Sequence, residues 1–104
     1  MRVIRKFNEQ NETLKNPNSE SFEMFLQSHG LEGDKYQGYR IVSRNEKLIY
    51  DLMPGIAGSG MEIYSPKEDL YMNLPYKNID QIMLNRGVGF AIIMNGRMVF
   101  RIHL

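Results

Sequence analysis

Gly89-Phe90-Ala91-Ile92-Ile93-Met94, then Asn95-Gly96, then Arg97-Met98-Val99-Phe100-Arg101-Ile102, is the stretch on which the fold turns. Asn-Gly between two β-forming runs is the strongest short-range signal of a two-residue type I′ hairpin, because both central residues must take positive φ. An uninterrupted ladder then sets Met94 opposite Arg97, Ile93 opposite Met98, Ile92 opposite Val99, Ala91 opposite Phe100 and Phe90 opposite Arg101. This register gathers Ala91, Ile93, Met98, Phe100, Ile102 and Leu104 on one side with no charge among them, a face that belongs in a core. The other side mixes Val88, Phe90, Ile92, Met94 and Val99 with Arg97, Arg101 and His103, which is neither a clean solvent face nor a clean core face.

Two explanations fit that mixed face. A helix packs on it while the arginines extend to the edge, or it is a surface for a partner, since an apolar patch rimmed by Arg has the composition of a protein interface. The chain's eight methionines suit an adaptable contact surface and fill ordinary core gaps equally well.

Working outward, Leu74-Pro75-Tyr76-Lys77-Asn78 leads into a segment of two-way reading. Asn78 with Gln81 forms a capping-box pattern, and Ile79, Ile82, Met83 and Arg86 keep helical spacing up to Gly87. Ile79-Asp80-Gln81-Ile82-Met83-Leu84 fits a strand equally well. Before it, Met61 to Tyr64 and Leu70 to Leu74 alternate around a Ser65–Asp69 turn and form a hairpin. Tyr39 to Val42 and Lys47 to Leu52, around Ser43-Arg44-Asn45-Glu46, form another. Between the two hairpins, Pro54-Gly55-Ile56-Ala57-Gly58-Ser59-Gly60 reads as a loop.

Phe22, Phe25, Leu26 and His29 fall at helical spacing, with Asn18 or Ser19 as cap, Glu20 and Glu23 near the positive end of the dipole, and Gly30 as the stop. Residues 8–18 are almost entirely polar around Leu14 and read as a connector or arm with little order. The basic start Met1 to Phe7 is followed by Asn8 and Glu9, with no apolar core of a secretory signal, so a cytoplasmic location is the default.

The length of 104 residues, with 42% hydrophobic and 24% charged, suits one domain spanning residues 1–104. No apolar run is long enough to insert in a membrane. Thirteen Lys and Arg against twelve Asp and Glu leave a net charge of +1, far from the basic excess that drives phosphate binding. The charge is uneven: residues 70–104 hold Lys77, Arg86, Arg97 and Arg101 against Asp80 alone.

With no cysteine, disulfide scaffolds, thiolate zinc sites and thiol nucleophiles are excluded. Ser59 lies in Gly58-Ser59-Gly60, but Ala57 and Met61 break the G-x-S-x-G elbow, and neither a P-loop nor G-x-G-x-x-G is present. His29 and His103 have no metal-ligand spacing, and Glu68-Asp69 and Glu46 with Asp51 sit at turns, where solvated acids are ordinary. The expectation is no enzyme, no metal and no cofactor. Six tyrosines could stack bases beside Arg40 and Arg44, which makes nucleic-acid binding the runner-up reading. An enzyme with an acidic or nucleophilic site near Ser59, Glu68 or Asp69 is the third.

Leu74-Pro75-Tyr76-Lys77-Asn78-Ile79-Asp80-Gln81-Ile82, followed by Gly89 to Ile93 and Val99 to Ile102, resembles the later strands of bacterial pleckstrin-homology-like domains. The likeness covers about a third of the chain and implies a noncatalytic binding module with a strand at residues 79–84. The pattern departs from that family in placing a strand where its barrels carry a closing C-terminal helix.

The reading is a single α+β domain, one helix near residues 19–29 packed on a bent antiparallel sheet or partial barrel of five to six strands. Its expected function is noncatalytic protein binding of the accessory or inhibitor type, including those that mobile elements carry. Docking would use Phe90, Ile92, Met94, Arg97, Val99 and Arg101, against a protein partner or a second copy of the chain.

Overall fold

Asn95 and Gly96 take φ of 51° and 78°, the two positive values that a type I′ turn requires, and they join β8 (Gly89–Met94) to β9 (Arg97–His103). The computed structural model describes residues 12–55 and 59–104; residues 1–11 and 56–58, which include the basic start and the middle of the 54–60 loop, lie outside it. Met94 stands opposite Arg97 and Ile93 opposite Met98, as the uninterrupted ladder requires. The register then slips: Ile92 pairs with Phe100, Ala91 with Arg101 and Phe90 with Ile102. Val99 is the extra residue of a β-bulge.

The bulge turns β8 over relative to Phe100–Ile102 of β9. It aligns Phe100 and Ile102 with Phe90 and Ile92, so that four large apolar side chains share one side. Burying each is worth about 1.5–3 kcal/mol, against about 1 kcal/mol for a ladder bond disturbed at the bulge. Phe90 and Ile92 are accordingly 0% exposed and belong to the core.

β7 (Ile79–Asn85) lies beside β8, and β1 (Thr13–Lys15) beside β7, giving a four-stranded antiparallel sheet in the order β1-β7-β8-β9. Residues 79–85 thus take the strand alternative. The second sheet is an antiparallel meander, β2 (Gly33–Asp34), β3 (Gly38–Val42), β4 (Ile49–Met53), β5 (Gly60–Ser65) and β6 (Leu70–Pro75). A single turn of 3-10 helix, Tyr76–Asn78, carries the chain from β6 across to β7. Its Tyr76 hydroxyl donates to the Pro54 carbonyl.

The α+β reading is therefore corrected. Strands make up 52% of the described residues and helices 14%, in two antiparallel sheets of four and five strands with one short helix. The inner faces of both sheets meet in one core, where the Tyr50 and Phe100 rings cross at 5.0 Å and Phe90 and Phe100 at 5.9 Å. Phe90 and Ile92 lie in a core shared by the second sheet and by Phe22, Phe25 and Leu26 of the helix. Two strands escaped the alternation argument because Thr13–Lys15 and Gly33–Asp34 are too short and polar to show a period. Leu14, opposite Ile82, is the one apolar anchor of β1, and it lies within the stretch that reads as a polar connector.

The helix α1 (Ser19–Ser28) matches its signals. Asn18 accepts from the Ser21 amide at 2.8 Å and Ser21 Oγ accepts from the Asn18 amide at 2.9 Å, a reciprocal cap. Phe22, Phe25 and Leu26 are buried, with the Phe22 ring edge-on to Tyr76. Arg86 donates to the His29 carbonyl at 3.2 Å and so satisfies the far end of the helix. Arg44 fastens the two sheets at one end: its amide donates to the His103 carbonyl at 2.7 Å and its guanidinium to the carbonyls of Leu104 and Gly87. Among the described residues no helix is long and apolar enough to cross a membrane.

Candidate functional site

Alternation along β8 sends Phe90 and Ile92 inward and leaves Gly89, Ala91 and Ile93 on the outer face of the first sheet. Two of these three are small, so the sheet dips along its middle. The cross-strand rows show what stands around the dip: Thr13, Met83, Ala91 and Arg101 form one, and Asn85, Gly89 and His103 the next. A cavity of about 520 Å³ results, with Met83, Ala91, Met98 and Val88 as its apolar lining and Glu12 on its β1 side. Arg101 and His103 line it from β9. Ala91 retains only 8% of its surface although it faces outward, because its two cross-strand neighbours, Met83 and Arg101, are long. Gly89 has no room for a side chain, since a Cβ there would meet the Ile102 carbonyl at 2.8 Å.

The two sides of the groove differ in charge. Glu12 accepts from the Asn85 side-chain amide on the β1 side. On the β9 side Arg101 has no carboxylate within ion-pair distance, because Arg40–Asp51, on the second sheet, is the one ion pair among the described residues.

The six residues of the expected docking surface do not form one surface. Phe90 and Ile92 are sealed in the core, and Phe90 borders the groove while exposing none of its area. Met94 is half-buried against the core. Arg97, opposite Met94, sits beside the hairpin turn, and Val99, 39% exposed, is the bulge residue. Only Arg101 of the six presents its side chain to the groove, and the bulge has separated it from Arg97 by turning the two onto opposite faces. Sequence reasoning missed Glu12, Met83, Ala91, Met98 and His103 as neighbours. A signal was present: matching Phe90-x-Ile92 with Phe100-x-Ile102, the heaviest alternating pairs in the hairpin, already demands a one-residue slip.

The other constellations stay apart. Ser59 borders a separate cavity with Asn73, Pro75, Tyr76 and Lys77, while Glu68 and Asp69 lie at the opposite end of β5. Glu68 is engaged by the Tyr50 hydroxyl at 3.4 Å. No group of three or more His, Cys, Asp or Glu that could hold a metal occurs among the described residues.

The tyrosines divide between core and surface. Burial raises the Tyr76 phenol well above its ordinary range, with the Glu23 carboxylate adding to it. Burial and a hydrogen bond to Glu23 raise Tyr39 in the same direction. Tyr64 and Tyr71 are cross-strand neighbours on the outer face of the second sheet, where Tyr71 donates to Glu62 at 2.7 Å and Arg40 is held by Asp51.

Comparisons with protein-family models, with curated protein sequences and with solved structures find no match for this chain.

Proposed function

We propose that this protein is a noncatalytic docking module that holds a protein partner against the outer face of the first sheet. The observation that carries the reading is the apolar groove floor on a sheet face that would ordinarily alternate polar side chains toward water. Met83, Ala91 and Met98 line it, Met98 is 52% exposed, and Arg101, which has no ion-pair partner among the described residues, stands at its edge. Methionine and arginine are enriched at interfaces, where a flexible thioether adapts to a partner and a guanidinium fixes its orientation. The likeness of residues 74–102 to pleckstrin-homology-like strands points the same way, toward binding and not turnover.

Met98→Asp tests it. The substitution places a charge in the groove at an exposed position, so the thermal midpoint stays within a few degrees of wild type. The tagged wild-type chain is expected to retain a protein that rebinds in purified form, and the Met98→Asp chain to lose it. Equal retention by both chains, at matched stability, would remove the groove from the function.

A further inference from the structure

The geometry points to a second copy of this chain as the occupant of the groove. Resting on the docking reading above, it seats the two copies face to face about a two-fold axis that runs parallel to the strands, between β7 and β8. An interface of this symmetry uses the same patch twice, so the patch must complement itself. The four-stranded sheet meets that requirement in both charge and shape.

Charge comes first. The order β1-β7-β8-β9 puts Glu12 beside the groove on one flank of the sheet and Arg101 with His103 on the other, while the β1 cation Lys15 stands outside the groove, in the row of Gln81 and Ile93. A two-fold axis along the strands exchanges the flanks and keeps each residue at its own level along the sheet. The Glu12 carbonyl accepts from the Leu84 amide at 2.9 Å, which sets Glu12 between the row of Met83, Ala91 and Arg101 and the row of Asn85, Gly89 and His103. The operation therefore carries Glu12 of one copy over β9 of the other, at the level of Arg101 and His103. It does so twice, once at each flank.

Shape agrees. The same axis lays β7 of one copy over β8 of the other, so Met83 comes over Ala91 and Asn85 over Gly89. A long side chain meets a small one at both levels, as knobs meet holes between packed sheets about 10 Å apart. Met98, the most exposed apolar side chain of β9, is covered in the process.

Other occupants fit less well. The eleven residues that precede Glu12 hold Arg2, Arg5 and Lys6 against Glu9 alone, which gives them the same sign as the Arg101 flank. The size of the face sets the strength: four strands at about 4.8 Å spacing and about six residues at roughly 3.3 Å rise make a patch of about 400 Å² on each copy, smaller than a stable specific interface and in the range of transient ones. The pair is therefore weak and reversible.

The test uses sedimentation equilibrium of the full chain across a range of concentrations, with circular dichroism to confirm folding. Wild type is expected to show a monomer–dimer equilibrium that weakens as salt is added. Glu12→Arg alone and Arg101→Glu alone should each weaken it by about tenfold or more, since each puts like charges at both flanks. An equimolar mixture of the two variants should recover near wild-type association, because every flank contact then pairs unlike charges again. Should a charge reversal fail to fold, Ala91→Gln fills the seat of Met83 from the solvent side and is expected to abolish the pair.

A chain that stays monomeric overturns the inference and leaves the docking reading to its own Met98→Asp experiment. A dimer indifferent to both reversals, or a mixture that fails to recover, overturns it as well.

Discussion

Deleting Val99 separates two registers that a casual inspection of the hairpin would treat as equivalent. With the bulge, Met98 and Val99 together oppose Ile93, and Phe100 already stands opposite Ile92. Removing Val99 leaves every other pairing in place and turns β9 into a regular strand. Val99 is 39% exposed, so its loss forfeits part of one valine's burial, about 1 kcal/mol. A recovered ladder bond returns about 0.5–1.5 kcal/mol. The net change is expected to lie within about 1 kcal/mol, or within about 8 °C in thermal midpoint for a domain of this size.

The uninterrupted register makes the opposite forecast. There the deletion turns Phe100 and Ile102 over to the other face and removes both from the core. The loss would be roughly 3–6 kcal/mol of burial, together with the edge-on contacts that Phe100 makes with Tyr50 and Phe90. That approaches the whole stability of an ordinary domain. Urea and thermal unfolding followed by circular dichroism distinguish the two outcomes. A deletion variant that loses more than about 3 kcal/mol, or that no longer unfolds cooperatively, refutes the bulge and the groove face built upon it.

Asn18→Ala removes one half of the reciprocal cap on α1 and is expected to cost about 1 kcal/mol, read by calorimetry as a lower midpoint. Gly89→Ala brings a methyl group against the Ile102 carbonyl and should cost about 1–3 kcal/mol in urea unfolding; a neutral result would mean that β8 and β9 separate more easily than their ladder implies. Tyr76 has its pKa raised by burial and then by Glu23, so the folded state favours the neutral phenol. That stabilisation is complete below the unfolded value of about 10 and is lost as pH climbs through the folded one. Unfolding free energy measured at increasing alkalinity should fall less steeply in Tyr76→Phe than in wild type, and parallel curves would contradict the assignment. At neutral pH the same substitution leaves the Pro54 carbonyl without its donor, a loss of about 1–3 kcal/mol.

Local signals in the sequence carried the elements whose chemistry is local. Asn95-Gly96 announces its turn because few other pairs tolerate two positive φ values in succession. Asn18, Phe22, Phe25, Leu26 and Gly30 announce the helix by cap, spacing and stop. What escaped depends on partners far along the chain. β1 is a strand because β7 accepts it, not because Thr13-Leu14-Lys15 prefers one. Residues 79–85 hold apolar spacings that satisfy either period, and the flanking strands β1 and β8 settle the matter. The bulge at Val99 carries no glycine to mark it, so the uninterrupted register places Phe100 and Ile102 in the core correctly but turns Phe90, Ile92, Ala91 and Ile93 of β8 to the wrong faces, and the docking residues Phe90 and Ile92 with them. Arg101 survived that inversion because its side chain faces outward in both registers, toward solvent in one and along the groove in the other.

The pairing of Thr13 with Met83 has a consequence for the order in which bonds form and break. The second sheet is a run of neighbouring hairpins, and β7, β8 and β9 follow one another closely, so both can assemble over short stretches of chain. β1 must instead close a loop that spans most of the polypeptide, for the return of three paired residues. It is the thread tied last and the one that slips first. Each time it slips, the outer backbone of β7 stands open to any strand that passes, so a three-residue clasp governs how often this molecule offers an unguarded edge.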